Sequence, residues 1–411
     1  MTISNTVNAL EMGRILTDKQ RKNLSVLGLI IKRGTISRTE ISRLTGLNIV
    51  TVSNYINEFI EKGLIAEKGL DISTGGRRPT LVEIDPSFGY VIGLGLTAFN
   101  ITGILVDSKM QVVYEVEKDC SRHNSGEVIG KLVEAAEEIL SKSKVGVDRI
   151  KGIGLGIPGI IDRNDQKIRW LDEIGVSSGH ISGISVKDVF EKEFGISTLV
   201  ERDAACAVFG ERWFRFESDI KDMIYMYGGV GCGLMINGHI YRGSTGYAGG
   251  LGIFNPSESD EERKRKESLD LGAWELDLGV AYYARKALKE GAKSAISGLA
   301  RNNPDKVDLS LIIEASKAED KLAKELLEDA GWRIGKKMAF LVNLLNPEVI
   351  VIGGGIEKAG AVFMDSARRS VHSWSREENL QKLKIAPSKL GENAVPMGGV
   401  CLILERIFMN I

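Results

Sequence analysis

Apolar, β-rich runs that end in glycine turns recur from residue 90 onward, and few folds accommodate that pattern. They include YVIGLGL (90–96), IKGIGLGIPG (150–159), MIYMYGGVGCG (223–233) and VIVIGGG (349–355). Forty-seven glycines in 411 residues exceed the usual share of about 7%, and they cluster after these runs. Amphipathic helices alternate with the strands: GEVIGKLVEAAEEILSKS (126–143), SVKDVFEKEFG (185–195) and AACAVFGERWF (204–214). Hairpin strands followed by helix–strand alternation, once in each half, imply two α/β lobes with a cleft between them. The terminal helix VCLILERIF (400–408) is expected to pack back onto a lobe. SESDEERKRKESLD (257–270) interleaves both charge signs and reads as a solvated loop or exposed helix.

Residues 1–84 follow a different pattern. In KQRKNLSVLGLIIKR (19–33), Leu24, Leu27, Ile30 and Ile31 share a helical face that Gly34 ends. Ser37 can cap the next helix, and Glu40 three residues on completes a capping box. Gly46 makes a turn into a longer helix with Val52, Ile56, Phe59 and Ile60 inward and Gly63 at its end. This is a helix-turn-helix layout. Two strands around a glycine-rich tip carrying Arg77 and Arg78 would add a wing that contacts phosphates or a minor groove. Small or hydrogen-bonding residues near the recognition helix, Arg38, Thr39, Asn48, Thr51, Ser53 and Asn54, suit base edges and phosphates of a major groove. A three-helix protein-contact module is the alternative reading of the same pattern.

Charge separates the two parts. Residues 1–80 carry 12 Lys+Arg against 7 Asp+Glu, whereas residues 81–411 carry 42 against 48. A basic head on an acidic body points to one polyanion-binding end. No apolar run reaches the ~18 residues of a membrane span. The N-terminal MTISNTVNALEMGRIL lacks a secretory pattern, so a cytoplasmic location is expected. Four scattered cysteines, Cys120, Cys206, Cys232 and Cys401, form no CxxC pair and read as ordinary thiols in a reducing compartment.

Five segments in order carry a family resemblance: GIGLGIPGIID (152–162), VERDAACAVFGE (200–211), the hairpin from Gly228 to Gly238, YRGSTGYAGGLG (241–252) and LLNPEVIVIGGG (344–355). The chain resembles the ROK family (repressors, open reading frames, kinases), and its head and GGRRP segment point to the repressor branch, of the N-acetylglucosamine- and xylose-regulator type. The resemblance implies a winged helix-turn-helix (1–84) followed by a two-lobed, actin-like, sugar-kinase-like (ribonuclease H-like) ATPase fold, with lobes at 85–200 and 201–411. It also implies a homodimer or homotetramer.

Several kinase features depart from the family pattern. The Asp of the family's DxGGT turn falls at Gly95, and its Gly-Gly-Thr is absent from Leu96-Thr97-Ala98-Phe99. The second phosphate turn, GTGxGGG in the family, reads Tyr227-Gly228-Gly229-Val230-Gly231-Cys232-Gly233. The general-base triplet Glu-Asn-Asp reads Glu201-Arg202-Asp203, so Asp203 marks a vestigial base while the sugar-binding Asn is Arg202. The hydroxyl-binding Glu and His fall at Gly250 and Ile253, and residues 254–275 contain no cysteine for the family's structural zinc. The nucleotide-side glycines Gly353, Gly354 and Gly355 remain.

Loss of these groups removes positioning and charge stabilisation for phosphoryl transfer. No zinc, ATP dependence or catalytic residue is therefore expected. What remains is a degenerate cleft in which Pro158, Gly159, Arg202, Asp203 and Gly250 contact a small effector. An internal ion pair of Arg202 with Glu201 or Asp203, closing a defunct cleft, is an equal reading. Replacing hydroxyl-reading residues by Arg, Gly and Ile disfavours a plain neutral hexose, leaving a different carbohydrate or an anionic derivative. The overall expectation is a DNA-binding regulator, a repressor of carbohydrate-related genes. A sugar kinase with an appended head is the alternative.

Overall fold

The computed structural model describes residues 17–70, 80–96, 100–119, 125–161, 167–169, 185–215, 220–228, 231–251 and 279–411. Arg77, Arg78, Thr97, Cys120, Gly229, Ile253 and the charged stretch 257–270 lie outside the described residues. Contacts divide the chain into two compact units, Met1–Ser218 with Val395–Ile411, and Asp219–Ala394.

The first unit begins with the head. Helix α1 (Asp18–Arg33) starts at a Thr17–Gln20 capping box, a signal of the same kind as the one expected at Ser37. Strand β1 (Ile36–Ser37) leads into α2 (Arg38–Thr45), where the Ser37 hydroxyl accepts the Glu40 N–H. Gly46 stands in the left-handed region at φ 71°, and α3 (Ile49–Glu61) follows. Strands β2 (Ile65–Leu70) and β3 (Thr80–Ile84) complete an antiparallel sheet in the order β1-β3-β2.

The head core is Val26, Leu27, Ile30, Ile41, Val52, Ile56, Phe59 and Val82, all fully buried. The buried face of α1 is turned from the expected one: Asn23 and Val26 are inside, while Leu24 and Ile31 are half-buried.

Next come β4 (Tyr90–Leu96), β5 (Asn100–Val106), β6 (Val112–Asp119), α4 (Ser125–Lys142) and β7 (Ile150–Ile157). The short pair β8 (Ile160–Ile161) and β9 (Ile168–Arg169), α5 (Val186–Phe194), β10 (Thr198–Arg202) and α6 (Asp203–Arg215) follow. The sheet order is β10-β7-β4-β5-β6, with β4, β7 and β10 parallel and the β4-β5-β6 meander antiparallel. Residues 201–215 thus belong with the first lobe. The division falls at 218/219 rather than at 200/201, because α6 leaves the end of β10 and packs back on that sheet.

The second unit repeats the plan. It contains β11 (Met223–Tyr227), β12 (Gly231–Ile236), β13 (His239–Ile240), α7 (Val280–Lys289), α8 (Leu309–Lys317), α9 (Lys321–Leu345), β14 (Val349–Gly353), α10 (Ala361–Trp374) and β15 (Lys384–Pro387). Its sheet order, β13-β12-β11-β14-β15, again joins an antiparallel meander to parallel strands. The long helices α9 and α10 cover it, and Ile334, Met338, Ile350, Ile352 and Phe363 lie in its core.

The last helix, α11 (Ala394–Met409), closes on the first unit. It reaches the sheet because β4 and β7 present glycine there. A Cβ on Gly93 would strike the Pro396 carbonyl, and one on Gly154 the backbone of Gly399. The other end of α11 meets the head: Asn23 Nδ2 donates to the Phe408 carbonyl at 3.4 Å and Gln20 Nε2 to that of Met409 at 3.3 Å. Lys19 and Lys62 both donate to the Ile411 oxygen, at 3.2 and 2.6 Å. Asn23 is buried for this reason, a contact 385 residues away in sequence.

Candidate functional sites

In the head, α3 buries Val52, Ile56 and Phe59, which turns Val50, Asn54, Asn57 and Glu61 outward in one row. Of the expected contact residues, Thr39, Asn48 and Asn54 are exposed, and Thr51 and Ser53 are half-buried beside the row. Asn48 has a local role as well: its Oδ1 accepts the Thr51 N–H at 2.8 Å and caps α3. Arg38, also expected as a DNA contact, has partners within the head. Its guanidinium donates to Asn57 Oδ1 at 2.9 Å and pairs with Glu67 Oε1 at 3.0 Å, tying α2 to α3 and β2. The exposed apolar residues Leu44, Ile49 and Val50 were not among the expected contacts. For Val50 the signal was available, since it falls off the face defined by Val52, Ile56 and Phe59, whereas Ile49 keeps the i, i+3, i+7 spacing of that face and is exposed because it opens the helix.

In the first unit, the carboxyl ends of the parallel strands gather a second group. Gly95 pairs with Gly156 and Arg202 with Ile157, immediately before Pro158 and Gly159. Ligands of α/β sheets enter at such strand ends. Asp203 opens α6, and its Oδ1 accepts the Ala204 N–H at 2.7 Å. Burial pushes the Asp203 carboxyl above the usual carboxylate range, and the positive charge of Arg202 opposes part of that rise. Glu201 and Arg202 are buried, with Glu201 Oε1 accepting the Arg202 N–H at 2.9 Å. Pro158, Gly159, Arg202 and Asp203 therefore come together. Gly95 serves packing: a Cβ there would press on Pro396 and Val395 of α11 at 2.8 and 3.1 Å.

The second unit holds the remaining glycines. Tyr227 pairs with Gly353 across β11 and β14, and the Gly228 N–H donates to the Gly353 carbonyl at 3.0 Å, so the two glycine turns are adjacent. The hydroxyl of fully buried Tyr225 occupies the place a Cβ on Gly353 would take. Gly354 and Gly355 adopt left-handed φ of 89° and 98°, and the Gly355 N–H donates to Glu357 Oε2 at 2.8 Å. Gly250 bridges to Gly231, and a Cβ there would meet the Tyr247 ring at 2.7 Å. Gly250 thus lies in a different unit from Arg202 and Asp203. Among the described residues, no group of three or more His, Cys, Asp or Glu side chains is placed to hold a metal ion, and no helix is long and apolar enough to cross a membrane.

Comparison with known proteins covers both parts of the chain. Residues 20–66 match the winged helix-turn-helix DNA-binding family and residues 90–406 the ROK family. A xylose repressor of Caldicellulosiruptor bescii is 28% identical over 96% of this chain and 98% of its own length. The crystal structure of a ROK family transcriptional regulator, a homologue of the Escherichia coli Mlc protein, superposes with a TM-score of 0.70 at 21% identity, covering 95% of this chain and 97% of that one. A ROK family glucokinase from Streptomyces griseus, in complex with glucose and AMPPNP, superposes with a TM-score of 0.65 at 21% identity, covering 76% of this chain and 99% of that one.

Proposed function

The chain belongs to the ROK family and carries a winged helix-turn-helix head, and on that premise we propose that it is a sequence-specific DNA-binding repressor of carbohydrate-related genes. One observation carries this reading. Helix α11 packs at one end on β4 and β7, of which β7 pairs with the β10 strand that leads to Arg202 and Asp203, and is tied at the other end to α1 and to Lys62 behind α3. A ligand that moves α6 therefore has a direct mechanical route to the head. Cys206 of α6 touches α11, since a Cβ on Gly398 would strike its carbonyl. The head, first lobe and α11 also share an apolar seam around a small cavity lined by Ile31, Ile84, Val91, Val400, Leu404 and Phe408.

The effector in this reading is a small sugar-like molecule at the carboxyl ends of β7 and β10. Arg202 offers the fork geometry that suits a carboxylate or phosphate, which favours an anionic derivative over a plain hexose. The mechanism is a shift between two head placements, with effector binding one of them more tightly. A homodimer would present two heads to two half-sites, so a change in head spacing would change operator affinity.

We further infer that the body is not a kinase. Two features support this reading: the Tyr225 hydroxyl lies where a Cβ on Gly353 would stand, and the Glu357 carboxylate accepts the Gly355 N–H. Zinc is likewise not part of this reading, and the cytoplasm, where operators are, is the proposed location.

The test is binding of the full chain to its own upstream DNA, with neutral sugars, sugar acids and sugar phosphates added in turn. The reading expects salt-sensitive binding that one anionic sugar changes, and loss of that response in Arg202→Ala. Tight glucose binding unaffected by Arg202→Ala would overturn the anionic assignment. Phosphoryl transfer to a sugar, abolished by Asp203→Asn, would restore the kinase reading.

A further inference from the structure

The first turn of α3 carries a surface that its polar neighbours do not explain. Val50 is 65% exposed and Ile49 45%, and Leu44, across the Gly46 turn at the end of α2, is 39% exposed. The three form the corner of the helix-turn-helix, and none carries a hydrogen-bonding side-chain group. Single exposed apolar residues are ordinary on protein surfaces. Three at the corner that meets the groove are a different matter, because this is where a recognition helix presents side chains to base edges.

Resting on the DNA-binding reading above, we propose that Val50 and Ile49 read the C5-methyl groups of thymines in the major groove. The bases offer one apolar feature in that groove, and it is the thymine methyl. The occupant is DNA rather than a second protein because the patch is framed by polar and basic groups. Thr39, Asn48 and Asn54 are exposed around it. Arg43 is 71% exposed with its nearest carboxylate, Glu40, at 3.6 Å. The surrounding head carries the positive excess of the chain, 12 Lys+Arg against 7 Asp+Glu in residues 1–80.

Stiffness strengthens the assignment. Val and Ile are held to one dominant χ1 rotamer in a helix, so their methyls stand at fixed positions without further ordering. Asn48 reinforces this by capping the turn through the Thr51 N–H. Thymine would thus be demanded at two neighbouring base pairs of each half-site by shape, and Asn54 would supply hydrogen bonds one turn further along.

The experiment uses the full chain and duplexes selected by it from a random DNA pool. If no sequence is enriched, the DNA-binding reading itself fails. From an enriched duplex, each thymine is replaced singly by deoxyuridine, which removes the methyl and nothing else. The proposal expects one or two positions per half-site at which affinity drops about three- to fivefold, the worth of one buried methyl. It expects Val50→Ala to erase the penalty at one position and Ile49→Ala at its neighbour, with the salt dependence of binding unchanged because no phosphate contact is lost. Val50→Thr, which keeps one methyl at nearly the same shape, should retain part of the discrimination. Wild-type binding indifferent to every thymine-to-deoxyuridine change would overturn the proposal, as would penalties that survive in both alanine variants.

Discussion

The outer face of α3 and the glycine turn after β14 both carry the residue types that ligand-binding surfaces use, and the fold treats them in opposite ways. On α3 the row Val50, Asn54 is exposed, and no packing demand of the head accounts for it. At Gly353–Gly355 the small residues are accounted for from within. The Tyr225 hydroxyl needs the space at Gly353, and the Glu357 carboxylate takes the Gly355 N–H. A glycine turn is thus evidence for a ligand only after its internal neighbours have been considered. The exposed helix face is the stronger functional signal of the two.

The sharpest way to break this contrast is to substitute glycines that packing requires. Gly154→Ala would drive a methyl into the Gly399 backbone, where no side chain can move aside. We expect a loss of about 3 kcal/mol in urea unfolding, the upper end for overpacking, with detachment of α11. An unchanged midpoint would mean that α11 does not seat there.

Gly353→Ala should cost about 2 kcal/mol by the same mechanism. Here the nearest colliding atom is the Tyr225 hydroxyl oxygen with the ring Cζ close behind it, so Tyr225→Phe in the same chain should recover a minor part of the loss and Tyr225→Leu a larger one. A Gly353→Ala, Tyr225→Leu chain no better than Gly353→Ala alone would remove the Tyr225 side chain as the reason for the glycine.

On the other side of the comparison, Asn54→Ala removes an exposed side chain and should leave stability within about 0.5 kcal/mol. It should cost about 1–2 kcal/mol of discrimination between the selected site and a mutated one, read by competition binding.

The smallest effect concerns Asp203. Its raised carboxyl pKa means that the folded state holds this proton more tightly than the unfolded chain does. This group therefore favours folding below the ordinary carboxylate value, and that advantage is lost as pH rises through the folded pKa. Asp203→Asn should abolish this dependence and raise the urea midpoint near neutral pH relative to acid pH. Parallel pH profiles for the two proteins would contradict the burial of this carboxyl.

Much of the architecture was legible because it is written locally. Ser37, Gly46 and Gly63 punctuate the head helices, and the apolar runs with glycine exits became β4, β7, β11 and β14 in two sheets of like order. What escaped depended on partners far away in the chain. Periodicity placed Leu24 and Ile31 inside α1, whereas α11 draws Asn23 inward. The partners of Arg38, Asn57 and Glu67, come from later elements, and nothing in the local pattern around residue 38 announces them. Gly95 was read as a lost phosphate residue, and its neighbour is Pro396, three hundred residues on. The lobe division moved for the same reason, since the pattern of α6 gives no sign of which sheet it covers. Arg202 and Asp203 were found by motif and do come together with Pro158 and Gly159, while Gly250 belongs to the other unit.

The central claim is that the exposed face of α3 reads sequence in DNA. The most direct measurement is the equilibrium affinity of the full chain for a duplex from its own upstream region against a scrambled duplex of equal length, at physiological salt. The account predicts a preference of at least about a thousandfold, reduced toward unity when Val50 and Asn54 are both replaced by alanine. Equal affinity for the two duplexes, or a preference untouched by the double replacement, would contradict it.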